Sequence, residues 1–197
     1  MDILKHFDDV SASAQSACEL PNDHNMDRLV ASCLAGDIVA MQAVYEQSKS
    51  RVYGLMVRMV GRQDADDLTQ QVYLQMFRKL GQYNGQSKLE TWLFRIATNE
   101  ALQYLRKQKR QTTAPYVSEP VIVDDDRLIK SEESQLLEAA LKRLEPELRA
   151  VFLLKEQQGL SYRDIAGSLG IPEGTVGSRL NRARKELRQE LTKLGCN

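Results

Sequence analysis

Apolar residues recur every three or four positions over most of the chain, which is the spacing of one face of an α-helix. The pattern covers residues 27–111 and 132–191, and no convincing alternation with period two indicates a β-strand. Between these stretches, Pro115, Pro120 and the three acids of residues 124–126 interrupt it. The sequence therefore predicts an all-α fold of two small helical domains joined by a flexible linker.

The same pattern predicts the boundaries. Residues 1–25 are polar and acidic without a clear period, so we expect a mobile N-terminal tail. Residues 26–111 form the first helical domain, residues 112–131 the linker and residues 132–197 the second domain.

In the first domain, local signals mark three long helices. Asp37 is placed to cap a helix that ends at Gly61, Asp64 to open a second helix that ends at Gly81, and residues 89–109 form a third. On the second helix, the inner row comprises Leu68, Val72, Met76 and Leu80. A second, more polar row on the same helix comprises Asp67, Gln70, Gln71 and Leu74.

The second domain contains the most distinctive local pattern. Ser161 and Asp164 have capping-box spacing, Gly170 stops the short helix that they open, and Pro172 precedes a second helix. The buried stripe of that second helix is Val176, Leu180, Ala183, Leu187 and Leu191. Its opposite side carries Thr175, Ser178, Arg179, Arg182 and Lys185. This arrangement predicts a DNA-binding helix-turn-helix, and the alternative is a plain helical hairpin with a solvated charged face.

The formal net charge of zero hides a segregation of charge along the chain. Residues 1–26 and 112–135 each have a net charge of −4, whereas residues 27–111 and 136–197 have net charges of +5 and +3. Phosphate attraction depends on the local field, so both helical domains remain candidates for binding nucleic acid.

Composition excludes several other classes of function. No apolar run reaches the roughly 20 residues of a membrane span, and the acidic N-terminus has no signal-peptide pattern, so we expect a cytoplasmic protein without membrane insertion. Cys18, Cys33 and Cys196 have no metal-site spacing, and both histidines lie in the tail. We find no Gly-rich phosphate loop and expect no catalytic residues, metal or cofactor, so the chain is not expected to be an enzyme.

Three segments together carry a family resemblance. They read DADDLTQQVYLQMFRKL, then TWLFRIATNEALQYLRK, then LSYRDIAGSLGIPEGTVGSRLNRARKELR. In this order and spacing they resemble bacterial RNA polymerase sigma factors of the sigma-70 family, in the small extracytoplasmic-function (ECF) group. The resemblance runs from about residue 27 to residue 191, apart from the linker.

For the first domain, the resemblance implies two surfaces. Asp67, Gln70 and Gln71 correspond to residues that dock on the clamp coiled coil of core RNA polymerase, and the alternative is a solvated helix face. The segment that opens the −10 promoter element would contribute Asn84, Trp92, Arg95, Asn99 and Arg106. For Trp92 the alternative is packing in the core.

For the second domain, the resemblance implies contact with the −35 promoter element. The candidate residues are Thr175, Ser178, Arg179 and Arg182. Gly177 departs from the family, because relatives commonly carry a Lys or Arg at this position. The departure indicates weaker or altered −35 binding, unless the glycine permits a close approach of the backbone to a phosphate.

The function implied by the resemblance is that of a sigma factor. Such a protein binds core RNA polymerase, directs it to promoter DNA with −35 and −10 elements, and helps to open the −10 DNA. The family also implies a possible anti-sigma factor as a partner, and an acidic linker that follows the RNA exit path of the polymerase. The alternative from another class is a stand-alone helix-turn-helix transcriptional regulator.

Overall fold

The structure is a computed structural model that describes residues 23–111 and 132–195, and all regular structure in these residues is helical. The all-α prediction is therefore confirmed. The helices are α1 (Asp23–Leu34), α2 (Ile38–Val60), α3 (Arg62–Lys79), α4 (Leu89–Gln111), α5 (Glu132–Arg143), α6 (Pro146–Glu156), α7 (Tyr162–Leu169) and α8 (Glu173–Lys193), with a 3-10 turn at Leu80–Gln82. We call residues 23–111 the N-terminal half and residues 132–195 the C-terminal half.

Two predicted segments fall largely outside the described residues. The linker, residues 112–131, lies outside them entirely. Of the predicted tail, residues 1–22 lie outside them, but α1 begins at Asp23. The last three residues of the predicted tail are therefore helical.

The N-terminal half begins its longest helix as predicted. The Asp37 side chain accepts hydrogen bonds from the backbone N–H groups of Val39 and Ala40, at 2.9 and 3.3 Å, which caps α2. Gly61 ends α2 with φ +103°, a conformation that favours glycine. Because the chain turns at this one residue, α3 begins at Arg62 rather than at the predicted Asp64, which lies within the first turn of α3.

The core of this half holds α2 against α3. The predicted inner row, Leu68, Val72, Met76 and Leu80, is buried. Beside it, the hydroxyls of Ser48 and Tyr73 lie 2.7 Å apart in a buried hydrogen bond, and burial raises the pKa of Tyr73 to about 12. The ring of Tyr45 packs edge-on against Tyr73, with ring centroids 4.7 Å apart. These contacts hold α3 in place, so the residues on its outer side have fixed positions.

The C-terminal half contains the predicted helix-turn-helix. The Ser161 hydroxyl accepts the backbone N–H of Asp164 at 3.1 Å and starts α7, and Gly170 ends α7 in the left-handed conformation with φ +65°. Pro172 immediately precedes α8. The buried side of α8 is the predicted stripe of Val176, Leu180, Ala183, Leu187 and Leu191. This stripe packs against α5, α6 and α7, which fixes the orientation of the opposite face of α8.

The two halves also pack against each other, which the sequence did not predict. Helix α4 contacts α6 and α7, and α2 contacts α5 and α6, so the buried residues of both halves form one continuous core. We call this contact the interdomain boundary. It brings the helix bearing the −10 candidates against the first helix of the helix-turn-helix.

A buried arginine lies at the interdomain boundary. Arg149 of α6 is 5% exposed, and its guanidinium donates to the backbone carbonyl of Met59 at the end of α2. It also donates to the carbonyls of Lys142 and Leu144 in its own half, at 2.7 and 3.1 Å. Burial lowers the pKa of Arg149 to about 10. One of its hydrogen bonds thus joins the two halves.

A second arginine crosses the boundary from the other side. Arg51 of α2 pairs with Glu90 of α4, and its Nε donates to the side-chain oxygen of Gln158 at 3.2 Å. Its guanidinium lies 5.0 Å from the ring centroid of Phe94. Arg51 therefore links two helices of the N-terminal half to the turn that follows α6.

Candidate polymerase and nucleic-acid surfaces

The predicted docking row lies on the outer side of α3. Asp67, Gln70 and Gln71 are exposed, and Leu74, one turn further along, is 57% exposed. These positions follow the i, i+3, i+4, i+7 spacing of one helix face. The row therefore combines one carboxylate, two amides and one apolar side chain on a surface that suits a partner helix with basic and apolar groups.

The loop before α4 is shaped by its own side chains. The Tyr83 hydroxyl donates to the carbonyl of Ser87 at 2.7 Å, and the side-chain oxygen of Asn84 accepts the backbone N–H of Gln86 at 3.2 Å. Gly85 has φ +70°, a left-handed conformation that favours glycine and is common in Asn-Gly turns. Asn84 is exposed, so its side chain both supports the loop and lies at the surface.

Trp92 takes the core alternative that the sequence left open. It is 5% exposed and packs against the ring of Tyr83, with ring centroids 5.6 Å apart. A base cannot stack on an indole that is already covered, so we remove Trp92 from the direct-contact set. The partly exposed aromatic at this place is Tyr83, which is not among the predicted residues. Its signal was an aromatic residue directly before an Asn-Gly turn.

The exposed side of α4 brings three of the predicted residues together. Arg95, Asn99 and Arg106 are all exposed, and spacings of four and seven residues place them along one face of the helix. The Arg106 guanidinium lies 3.7 Å from a carboxylate oxygen of Glu147 in the C-terminal half, and the Arg106 side chain is exposed whereas that of Glu147 is half-buried. The face continues into the basic end of α4, with Lys107, Lys109 and Arg110.

Polar side chains on the outer face of α8 already have hydrogen-bond or ion-pair partners within the C-terminal half. Ser178 and Arg182 are exposed, whereas Thr175 and Arg179 are half-buried. The Ser178 hydroxyl donates to the carbonyl of Thr175 at 3.0 Å. The Nε of Arg182 donates to Glu186 at 2.7 Å, and its Nη2 lies 3.6 Å from a carboxylate oxygen of Glu145.

The electrostatic effect on Arg182 follows from these contacts. The hydrogen bond from Arg182 to Glu186, together with the charges of Glu186 and Glu145, raises the pKa of Arg182. Two carboxylates therefore lie beside one of the two arginines predicted to contact the −35 element.

Gly177 faces the side of α7. A Cβ atom built there would lie 3.6 Å from Cε2 of Tyr162, an ordinary van der Waals contact. The Tyr162 ring is also 5.6 Å from the ammonium of Lys155. Packing within the chain therefore does not require a glycine at this position.

The described residues offer no metal-binding cluster and no helix suited to span a membrane. Within residues 28–111 and 134–195, where side chains are described, no group of three His, Cys, Asp or Glu side chains is arranged to hold a metal ion. None of the helices in those stretches is both long enough and apolar enough to cross a membrane. Cys33 is buried, and burial together with the charge of Asp37 raises the pKa of its thiol.

Two family descriptions match the chain. "Sigma-70 region 2" matches residues 44–111, which contain the docking row and the α4 face. "Sigma-70, region 4" matches residues 134–187, which contain the helix-turn-helix.

Whole-chain comparisons lead to the same family. The chain is 31% identical to the ECF RNA polymerase sigma-E factor of Haemophilus influenzae, over 84% of this chain and 95% of that protein. It is 36% identical to the ECF RNA polymerase sigma factor SigM of Mycobacterium tuberculosis, over 81% of each. Among solved structures, the sigma factor RpoE in complex with the anti-sigma factor NepR from Bartonella quintana matches with a TM-score of 0.65 and 26% identity, over 78% of this chain and 97% of that one. The chain belongs to the ECF sigma factors of bacterial RNA polymerase.

Proposed function

We propose that this chain binds core RNA polymerase, directs it to promoters with −35 and −10 elements, and helps to open the −10 DNA. The observation that carries the proposal is the distribution of the three surfaces: a docking row and a basic face on separate helices of one half, and a helix-turn-helix on the other. Residues 26–111 would serve as the polymerase and −10 domain, and residues 132–197 as the −35 domain.

Docking on the polymerase would use the outer side of α3. Asp67 supplies the charge-assisted hydrogen bond, Gln70 and Gln71 supply neutral ones, and Leu74 supplies apolar contact beside them. Leu74 extends the set of contact residues beyond the three polar ones, because its exposed side chain lies on the same face. We expect a basic helix of the polymerase to cover the whole row.

Opening of the −10 element would use the loop before α4 and the exposed side of α4. Tyr83 offers an aromatic surface to an unpaired base, and Asn84 and Asn99 offer amide groups to base edges. Arg95 and Arg106 would hold the phosphate backbone, which positions the strand without reading its sequence. Trp92 would act indirectly, by supporting the Tyr83 ring.

Recognition of the −35 element would use the outer face of α8. Arg179 and Arg182 would reach guanine or phosphate, and Thr175 and Ser178 would contact base edges or the backbone at the start of the helix. Since Gly177 contributes no side chain, we expect fewer contacts here than in a relative with a basic residue at that position.

Control by a partner is a further part of the proposal. The related RpoE was solved with the anti-sigma factor NepR, which supports an anti-sigma factor for this chain as well. The chain would act by binding alone, with no chemistry of its own, and it would act in the cytoplasm, where core polymerase and the genome are found.

The test combines purification with transcription. Core polymerase is mixed with the full chain and retained on an affinity resin, and run-off transcription is measured on genomic fragments, which also identifies the promoter. The variant Asp67→Lys places a like charge against a basic partner, so we expect retention and transcription to fall at least tenfold. The matched control is Asp66→Lys, an equally exposed carboxylate on the same turn but outside the docking row.

The outcomes separate the two classes of function. A sigma factor yields transcripts only with core polymerase, and Asp66→Lys retains most of that activity. A chain that is not retained by core polymerase, and that shifts a palindromic duplex unaided as a dimer, is a stand-alone regulator and contradicts the proposal.

A further inference from the structure

The turn between α1 and α2 carries a cluster of exposed apolar side chains. Leu34, Ile38 and Val39 are 55%, 77% and 75% exposed, and they are three of the six large hydrophobic residues that are exposed in the described part of the chain. Ala31 and Ala35 are exposed beside them. We call these five residues the corner patch. One exposed apolar residue is ordinary, but several adjacent ones are typical of a surface that binds another segment.

The backbone of the turn holds the corner patch in a fixed shape. The N–H of Gly36 donates to the carbonyl of Cys33 at 3.1 Å, and the N–H of Asp37 donates to the carbonyl of Ser32 at 3.0 Å. With φ +86° at Gly36, these two bonds form the Schellman ending of a helix. Because Asp37 also caps α2, the helices on both sides of the turn are fixed, and the patch is preformed.

Basic side chains lie around the corner patch. Arg28 is exposed on the side of α1 that carries the two alanines of the patch. On the other side, a Cβ atom at Gly81 would lie 3.9 Å from the side chain of Leu34, and the exposed Arg78 and Lys79 precede this glycine closely. The carboxylate in the turn itself already accepts two backbone N–H groups. An apolar surface with a basic rim suits an acidic amphipathic segment.

The residues that precede α1 have this chemistry. Residues 1–25 have no clear period as a whole, but the apolar residues near their start have the i, i+1, i+4, i+7 spacing of one helix face: Ile3, Leu4, Phe7 and Val10. Residues 1–22 contain four Asp or Glu residues against one Lys, which gives a formal net charge of −3. The segment therefore combines an apolar set with the charge that the rim of the patch would attract.

The segment is long enough to reach the patch. The corner patch lies at the far end of α1, about 17 Å from Asp23 at about 1.5 Å per residue. Residues 11–22, which separate the apolar set from α1, can span about 40 Å at about 3.3 Å per residue. Pro21 disfavours helical backbone at Leu20, so we do not expect the segment to continue α1 in a straight line away from the patch.

We propose that residues 1–22 fold back along α1 and cover the corner patch, with the apolar set against the patch and the acids beside its basic rim. Tethering favours this segment over a second copy of the chain, because a short flexible link gives an effective concentration on the order of millimolar. The contact requires neither polymerase nor DNA, so it does not depend on the proposed promoter function.

The experiment measures how close the segment lies to the corner patch in the full chain. A nitroxide label is attached at Lys5→Cys, which lies off the apolar set, with Cys18 and Cys196 replaced by serine and the buried Cys33 left in place. The label enhances the relaxation of nearby amide protons. We expect strong enhancement at Gly36, in the turn, and little enhancement along α8.

The first pair of variants tests the segment. Phe7→Asp replaces an apolar side chain of the proposed contact by a carboxylate, and loss of one such buried side chain lowers an equilibrium constant by about tenfold or more. We therefore expect most of the enhancement at Gly36 to disappear. The matched control is Ala12→Asp, which adds the same carboxylate on the opposite side of such a helix and is expected to retain the enhancement.

The second pair of variants tests the patch. Val39→Asp places a carboxylate within the corner patch, and α2 should remain intact because acids are favoured in the first turn of a helix. We expect the enhancement at Gly36 to fall as it does in Phe7→Asp. The control is Leu74→Asp, which changes an exposed apolar side chain of α3 outside the patch. Circular dichroism confirms that each variant retains its helices.

The outcomes decide between the occupants of the patch. The inference is supported if Phe7→Asp and Val39→Asp remove the enhancement and both controls keep it. It is overturned if Phe7→Asp and the parent chain give equal enhancement. It is also overturned if a labelled chain enhances relaxation equally in an unlabelled, isotope-enriched chain, which identifies a second copy, or if the label leaves the turn unaffected while added core polymerase protects its amides. Transcription is not part of the measurement, so its failure is a separate result.

Discussion

The two surfaces proposed to face DNA differ in how far their polar groups already have hydrogen-bond or ion-pair partners within the chain. On α8, Ser178 bonds to a backbone carbonyl and Arg182 bonds to Glu186, with Glu145 nearby. On α4, Arg106 has a longer ion pair, to Glu147 across the interdomain boundary. The contacts of α8 lie within one half, whereas that of Arg106 crosses the interdomain boundary and is longer than the hydrogen bond of Arg182. Binding of DNA by α8 would therefore replace close contacts, whereas binding by Arg106 would replace only a longer one.

This difference changes what each arginine contributes to binding. A hydrogen bond to DNA that replaces one to a carboxylate adds little net free energy, because the guanidinium was already paired. A side chain whose existing ion pair is long and solvated gives up less when it meets a phosphate, and it still gains from the release of counterions. We therefore expect the exposed side of α4 to supply more of the affinity for a promoter than the outer face of α8.

The largest expected effect comes from truncating the two arginines in turn. Arg106→Ala is expected to lower the affinity of the reconstituted holoenzyme for its promoter about tenfold, and Arg182→Ala only about threefold, since a DNA contact of Arg182 has to replace its existing contacts with Glu186 and Glu145. Affinity is measured by fluorescence anisotropy on the promoter that run-off transcription identifies.

The interpretation of that comparison depends on folding and on docking. Both arginines are more than half exposed, so we expect neither change to alter the unfolding temperature, and retention on core polymerase serves as the second control. Equal losses from both variants, or a greater loss from Arg182→Ala, would show that the existing contacts of α8 do not reduce its contribution.

A smaller effect is expected from removing an acid from the −35 face. Glu186→Gln takes away the carboxylate that holds Arg182 and repels phosphate, so we expect the affinity for the −35 element to rise two- to threefold. The matched control is Glu190→Gln, a glutamate one turn further along α8 that pairs with Arg143 and Lys193.

The salt dependence sharpens this prediction. The gain from Glu186→Gln should shrink as ionic strength increases, because it arises from exposed charges that salt screens. A gain of equal size in Glu190→Gln would indicate a general effect of net charge on binding rather than competition for one arginine.

The helices could be predicted from the sequence because their signals are local. The cap at Asp37, the stop at Gly170 and the buried stripe of α8 each depend on residues within a few positions of one another. The start of α3 was wrong because Gly61, with positive φ, serves as the end of one helix and the beginning of the next. Spacing alone does not show whether one residue or several form such a turn.

The interdomain boundary could not be predicted in the same way. The hydrogen bond of Arg149 to the carbonyl of Met59 joins residues 90 positions apart, and Arg51 meets Gln158 across 107 positions. Neither arginine belongs to a motif, and on its own helix each resembles an ordinary surface residue. Contacts of this kind depend on how two helical units meet, which periodicity within each unit does not describe.

For the candidate surfaces, the sequence predicted which side of a helix is exposed better than it predicted which single side chains lie at the surface. Arg95, Asn99 and Arg106 lie on one exposed face, as helix periodicity requires. The exchange of roles between Trp92 and Tyr83 was not predictable, because either aromatic can be the covered member of a packed pair. The loop conformation, set by Asn84 and Gly85, decides which ring faces outwards.

The smallest expected effect concerns Gly177. It distinguishes two reasons why α8 would bind the −35 element weakly. If the glycine weakens binding by loosening α8, then Gly177→Ala should raise both helix stability and DNA affinity. If the missing side chain is the cause, Gly177→Ala should raise the free energy of unfolding by up to about 1 kcal/mol and leave affinity unchanged. We expect the second result, because the α8 stripe is fully packed and a Cβ atom there makes only an ordinary contact with Tyr162. Thermal unfolding and anisotropy on the same samples measure both quantities, and a rise in affinity with alanine would contradict this expectation.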